Sequence, residues 1–156
     1  MARNYSVSAN CTNTASTTNA ILNITSTALT QPAIYEINSG SDATPANQAV
    51  KYQIQRFSAL GTAQGAITPQ ALDPGAGTAV ASVFLANQGS SALPTYTAGA
   101  CLLTWAQNQN TAYRWVASAP TRTIDIASTA GVGVGLMPIV ATATVATWVL
   151  NVAFEE

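Results

Sequence analysis

The chain has 156 residues, a net charge of −1 and only 7% charged residues, against 48% hydrophobic ones. Globular domains carry about a quarter charged residues, so its surface is covered by Ser, Thr, Asn, Gln and Ala, which suits a protein packed against other copies or another protein. The length is that of one domain able to bury a real core, and Arg3, Lys51, Arg56, Arg114 and Arg122 are too scattered for a nucleic-acid footprint.

Residues 1–19 are polar and turn-rich, with a brief alternation at Tyr5 and Val7. They read as an N-terminal arm or a first strand, ahead of a domain spanning residues 20–156. No apolar segment of signal-peptide length opens the chain, which predicts synthesis in a reducing cytoplasm. The Asn4, Asn10 and Asn23 triplets of N-x-Ser/Thr form are therefore not glycosylation sites. Ala20–Thr25 and Pro32–Asn38 are strand candidates, the second with Ile34 and Glu36 on one face and Ala33, Tyr35 and Ile37 on the other. Ser39–Asn47 carries turn signals throughout and predicts a loop. Val50–Phe57 alternates Tyr52, Ile54 and Arg56 against Lys51, Gln53 and Gln55.

Ser58–Ala79 is glycine-rich, includes Pro69 and Pro74, and predicts a long irregular connection of the kind often used in binding. Thr78–Leu85 fits a short helix or a strand, and Gln88–Thr95 a loop. Cys101–Gln107 and Ala112–Ala117, joined at Asn108-Gln109-Asn110, predict a hairpin. Thr121–Ala127 and Gly131–Met137 follow as strands. The last strand, Thr144–Phe154, puts Ala146, Trp148, Leu150, Val152 and Phe154 on one heavy face and Val145, Thr147, Val149, Asn151 and Ala153 on a mixed one. Such a strand needs neighbours on both edges and a second layer over its heavy face, with Glu155 and Glu156 left in water. Gly131–Phe154 is also uncharged over about the length of a membrane helix, but Pro138, the scattered Thr residues and the alternation favour strands. The fold class is all-β: about eight to nine short strands and at most one short helix, as a sandwich, jelly roll or barrel in a single domain.

Catalytic chemistry has few candidates. The chain contains no histidine, which removes Ser-His-Asp and Cys-His systems and the usual zinc and copper ligands. Lys51 follows no phosphate-cradling loop, and Gly131, Gly133 and Gly135 do not match dinucleotide spacing and read as room for a bend. Glu36, Asp42, Asp73 and Asp125 are isolated in sequence, and Asp125 suits an ion pair with Arg122 or Arg114. Cys11 and Cys101 can pair, though two free buried thiols are the preferred reading. Trp105, Trp115 and Trp148 fill the core or an interface, or else line a carbohydrate site. The expectation is no catalytic, cofactor-binding or metal-binding residue, no cofactor, no nucleic acid and no membrane.

The runs Tyr113-Arg114-Trp115, Ala119-Pro120-Thr121-Arg122, Gly131–Leu136, Thr147-Trp148 and Ala153–Glu156, with Lys51–Phe57 and Leu72–Gly75, resemble small proteins encoded among tailed-phage head genes. The first 30 residues have no counterpart in that pattern. The resemblance is to capsid decoration, or cement, proteins. It implies a β-sandwich of jelly-roll type, a homotrimer on the outer capsid surface of the virion, and the major capsid protein as partner. The N-terminal residues and the Ser58–Ala79 loop are the expected contacts. A carbohydrate-binding or adhesin module, and a self-assembling filament or coat subunit, are the alternatives.

Overall fold

The computed structural model describes residues 2–13, 20–42, 45–62, 65–85, 94–139 and 146–156, and the side chains of 11–13 and 146 are not among them. The described residues form twelve strands: β1 (Asn4–Asn13), β2 (Leu22–Thr25), β3 (Ala33–Asp42), β4 (Ala49–Ala59), β5 (Ala66–Ile67), β6 (Gln70–Ala71), β7 (Ser82–Leu85), β8 (Thr95–Asn108), β9 (Tyr113–Val116), β10 (Ile124–Asp125), β11 (Gly133–Ile139) and β12 (Ala146–Glu155). Only β5, β6 and β10 are two-residue strands. At most one short helix is expected, and the described residues hold one 3-10 turn, Pro120–Arg122; Thr78–Leu85, open between helix and strand in the sequence, contributes strand β7.

Two antiparallel sheets pack face to face as a sandwich. In sheet A, β9, β3, β12 and β1 lie side by side; in sheet B, β8, β4, β11 and β2 do. Among these eight strands, chain order therefore alternates between the sheets except at the step from β4 to β8, in the double Greek-key manner of a jelly roll. β6 and β10 extend sheet A, and β7 and β5 extend sheet B.

The last strand lies inside sheet A. β12 pairs along its length with β1 on one side and β3 on the other. Its heavy face is the core face: Trp148, Leu150, Val152 and Phe154 are fully buried. Across the core stand Tyr52 and Ile54 of β4 and Val134 and Leu136 of β11. The uncharged run from Gly131 thus makes strands β11 and β12, and no helix among the described residues is long and apolar enough to cross a membrane.

Several local expectations give way to tertiary structure. β3 runs on to Asp42 because its Ser39–Asp42 end pairs with Thr147–Leu150 of β12, overriding its turn propensity. A bulge at Tyr35 breaks the alternation, so that Ile34 and Ile37 both enter the core. Cys101–Gln107 and Ala112–Ala117 are not a hairpin: β8 pairs with β4 in sheet B and β9 with β3 in sheet A. The link crosses between the sheets, pinned where Gln107 bonds Ser39 and Trp105, and where Gln109 accepts from the Ala46 amide. The described part of Ser58–Ala79 is not wholly irregular, since it adds β5 to sheet B and β6 to sheet A. Thr121–Ala127 keeps only β10 as strand, after the proline-initiated 3-10 turn. Pro138 sits within β11, where pairing with β2 has ended at Leu136 and only β4 remains alongside, so no ladder bond to β2 is lost. Of the loops expected at 39–47 and 88–95 and the strand start at 144, residues 43–44, 88–93 and 144–145 lie outside the described residues, as do 14–19 of the N-terminal segment.

Gly133 and Gly135 permit close approach rather than a bend. A Cβ on Gly133 would overlap the Ile24 carbonyl oxygen and meet the Phe57 ring at 2.5 Å. A Cβ on Gly135 would stand 2.6 Å from the Tyr96 hydroxyl and 2.7 Å from Asn23 Oδ1. Tyr96 thereby lies over the outer side of sheet B beside Ala20 and Met137. Gly40 differs, because a Cβ there meets nothing within 4 Å. In urea denaturation Gly133→Ala is therefore expected to lose about 3 kcal/mol of stability. Gly40→Ala is expected to leave it unchanged or raise it slightly, by restricting the unfolded chain.

Candidate functional site

The carboxylates singled out in the sequence are held in separate structural roles. Glu36 accepts from Arg114 at 2.7 Å and from Asn38 at 3.0 Å. Arg114 therefore pairs with Glu36, whereas Asp125 accepts from Thr123 at 2.6 Å. Asp73 closes a turn by accepting from the Gly75 amide, and Asp42 ends β3 in solvent. Glu156 does not simply stay in water: its carboxylate accepts from the Val80 and Ala81 amides and ties the chain end to the segment before β7. No cluster of three or more potential metal-ligating residues occurs among the described residues.

The tryptophans face inward. Trp148 and Trp105 are buried, and Trp115 packs against the core. Cys101 is a free, exposed thiol rather than a buried one, because it lies on the outer part of β8; the Cys11 side chain lies outside the described residues. A concavity of about 640 Å³ is an open groove bordered by Tyr35, Leu72, Pro120, Asp73 and Glu155. It brings Asp73 and Glu155, remote in sequence, to one rim. Burial, then the charges of Glu36 and Glu155, pushes the Tyr35 hydroxyl above its ordinary titration range.

The most extended feature is the outer face of sheet A. β1 contributes Ser6, Ser8 and Asn10, β3 contributes Asn38 and Gly40, and β12 contributes Val149 and Asn151. These alternate with the core residues Tyr5, Val7, Ile37, Leu150 and Val152, as a half-buried strand requires. Asn151 Nδ2 donates to Ser6 Oγ at 3.1 Å and Ser8 Oγ at 2.9 Å, fixing these side chains across β1 and β12. A shallow depression of about 300 Å³ opens at Gly40, between Val149 and Arg114. The result is a broad face of small, hydrogen-bonding groups around three central strands, with the Glu36–Arg114 pair to one side. Chemically it offers donors, acceptors and shallow relief to another protein surface. The sequence carried half of this signal, in the mixed face of the last strand; the matching Ser-x-Ser-x-Asn alternation of β1 looked like turn composition.

No family model, no curated protein and no solved structure matches the chain.

The Glu36–Arg114 pair supplies the pH dependence of this region. Hydrogen bonds from Arg114 and then Asn38 hold the Glu36 carboxyl below its ordinary range. A depressed carboxyl contributes stability above its unfolded-state pKa and loses it as pH falls through the folded-state value. Glu36→Gln is expected to flatten the acid limb of melting temperature against pH slightly, because the pair is largely exposed. An unchanged acid limb contradicts this.

Proposed function

We propose that this chain is a structural virion protein, a decoration or cement subunit that binds the outer surface of a phage head and stabilises it through protein–protein contacts. The observation that carries the reading is the hydrogen-bonding outer face of sheet A on a jelly-roll frame, whose few charges lie mainly along β3 and include the Glu36–Arg114 ion pair. The resemblance of the C-terminal third to head decoration proteins supplies the kind of partner. A face with little charge gains by excluding water and by matched hydrogen bonds, so it suits a permanent neighbour better than a transient, electrostatically steered one. A glycan-binding reading keeps only Trp115, which is half-buried and borders a small cleft, because Trp105 and Trp148 are buried in the core.

The test is to mix purified protein with undecorated phage heads and sediment them. The wild type is expected to co-sediment. Ser8→Lys and Asn151→Lys, which put an unpaired charge into the proposed contact, are expected to lower the bound copies at least tenfold with unchanged circular dichroism. A wild type that stays in the supernatant, or lysine variants that bind as well as it does, would overturn the proposal.

A further inference from the structure

The outer face of sheet A ends in a walled groove. It crosses the three central strands at Tyr35 of β3, Glu155 of β12 and Asn4 of β1. One wall is the turn after β6, held where the Leu72 amide donates to the Asn4 carbonyl. The other follows β9, held where the Ala117 amide donates to the Tyr35 carbonyl, and continues to Pro120. The volume of about 640 Å³ lies within the range of sites that take side chains or small ligands, about 300–1,000 Å³.

The lining is apolar on its walls and acidic at its rim. Leu72 is 56% exposed there, beside Pro120. Asp73 and Glu155 border the groove, and no lysine or arginine among the described residues lines it. Asp73 accepts the Gly75 amide through Oδ1, which leaves Oδ2 open. The half-buried Glu155 carboxylate and the Tyr35 hydroxyl make no hydrogen bond or ion pair among the described residues. Arg122 meets this rim only through Ser118 Oγ, at 3.4 Å, and lines the neighbouring cleft. After burial, the charges of Glu36 and Glu155 hold the proton on Tyr35, so the potential in the groove is negative. The complement of such a site is a cation on an apolar stem.

We infer that this groove receives an arginine side chain of the partner protein, with its stem along Leu72 and Pro120 and its guanidinium on Asp73 and Glu155. Arginine suits the site better than lysine. Its planar fork can donate to two carboxylates, it stacks on aromatic rings such as Tyr35, and it sheds water more readily than an ammonium group. A bare cation would leave the apolar walls unused. Two carboxylates are too few to steer a partner over distance, but at contact they select for charge and fix the register. The identity of the partner rests on the shell reading, whereas the groove itself is tested on the free protein.

The probe is N-acetylarginine amide, titrated into the protein at low ionic strength and followed by backbone amide chemical shifts. The Asn4, Tyr35 and Glu155 amides are expected to move to saturation, and N-acetylglutamine amide is expected to leave them in place. Asp73→Asn combined with Glu155→Gln keeps both shapes and the turn-capping oxygen, and is expected to raise the half-saturating concentration about tenfold or more. The inference is overturned by an arginine probe that moves nothing, by equal shifts with the glutamine probe, or by a double variant that binds as well as the wild type. If the double variant fails to fold, salt decides on the wild type: about 0.5 M sodium chloride must weaken the binding, and salt-independent binding overturns the inference. Sedimentation with undecorated heads separates this inference from the shell reading. A double variant that co-sediments as well as the wild type overturns the groove contact and leaves the shell reading standing. A wild type that stays off the heads while still binding the arginine probe overturns the shell reading and upholds the groove.

Discussion

The two sheets are joined by one aromatic column. Tyr113 of β9 stacks on Trp105 of β8 at 4.9 Å between ring centroids, and Trp105 stacks on Tyr52 of β4 at 5.1 Å. Trp148 of β12 meets Tyr52 edge-on at 5.5 Å. Two of these strands belong to sheet A and two to sheet B, so the column fixes the spacing and the mutual orientation of the layers. Each such pair is worth about 1 kcal/mol beyond the area it buries. Beside the column, Gln107 bonds Trp105 and Ser39 and holds the crossing from β8 to β9. A second aromatic pair, Tyr5 with Phe154 at 5.7 Å, secures β1 against β12. The column also explains why Trp105 and Trp148 are closed to a ligand.

With the core settled this way, the few charges have local tasks. Glu36 holds Arg114 across β3 and β9, Asp73 shapes a turn, and Arg56 donates to the Asp125 carbonyl. Glu156 anchors the segment before β7. No single-sign patch is left to steer a partner over distance. On the proposed reading, association then rests on surface fit and matched polar groups. The outer face of sheet A offers both, in its cross-strand hydrogen bonds and the shallow depression at Gly40.

The sequence showed what a period of two can show. The last strand, its heavy face and its place between neighbours were legible because Trp148, Leu150, Val152 and Phe154 alternate without interruption. The candidate face was half legible, in Val149 and Asn151. The rest depended on partners distant in sequence. Ser39–Asp42 has turn composition and becomes strand only because β12 lies beside it. The Tyr35 bulge, which brings Ile34 and Ile37 to the same side, leaves no mark in a pattern of alternating residues. The short span Asn108–Asn110 suits a hairpin, and only the buried bonds of Gln107 and Gln109 show that it changes sheets. Gly133 and Gly135 suggested a bend, whereas their role is to admit Phe57 and Tyr96. The first strand was obscured by serines and asparagines that belong to the outward face.

The central claim is that β12 is the innermost ribbon of sheet A and the last element to come apart. Native-state hydrogen exchange along the chain tests it most directly. The account predicts that amides from Trp148 to Phe154 open only with global unfolding and are among the slowest in the molecule. Exchange in that segment as fast as in the edge strand β9 would contradict it.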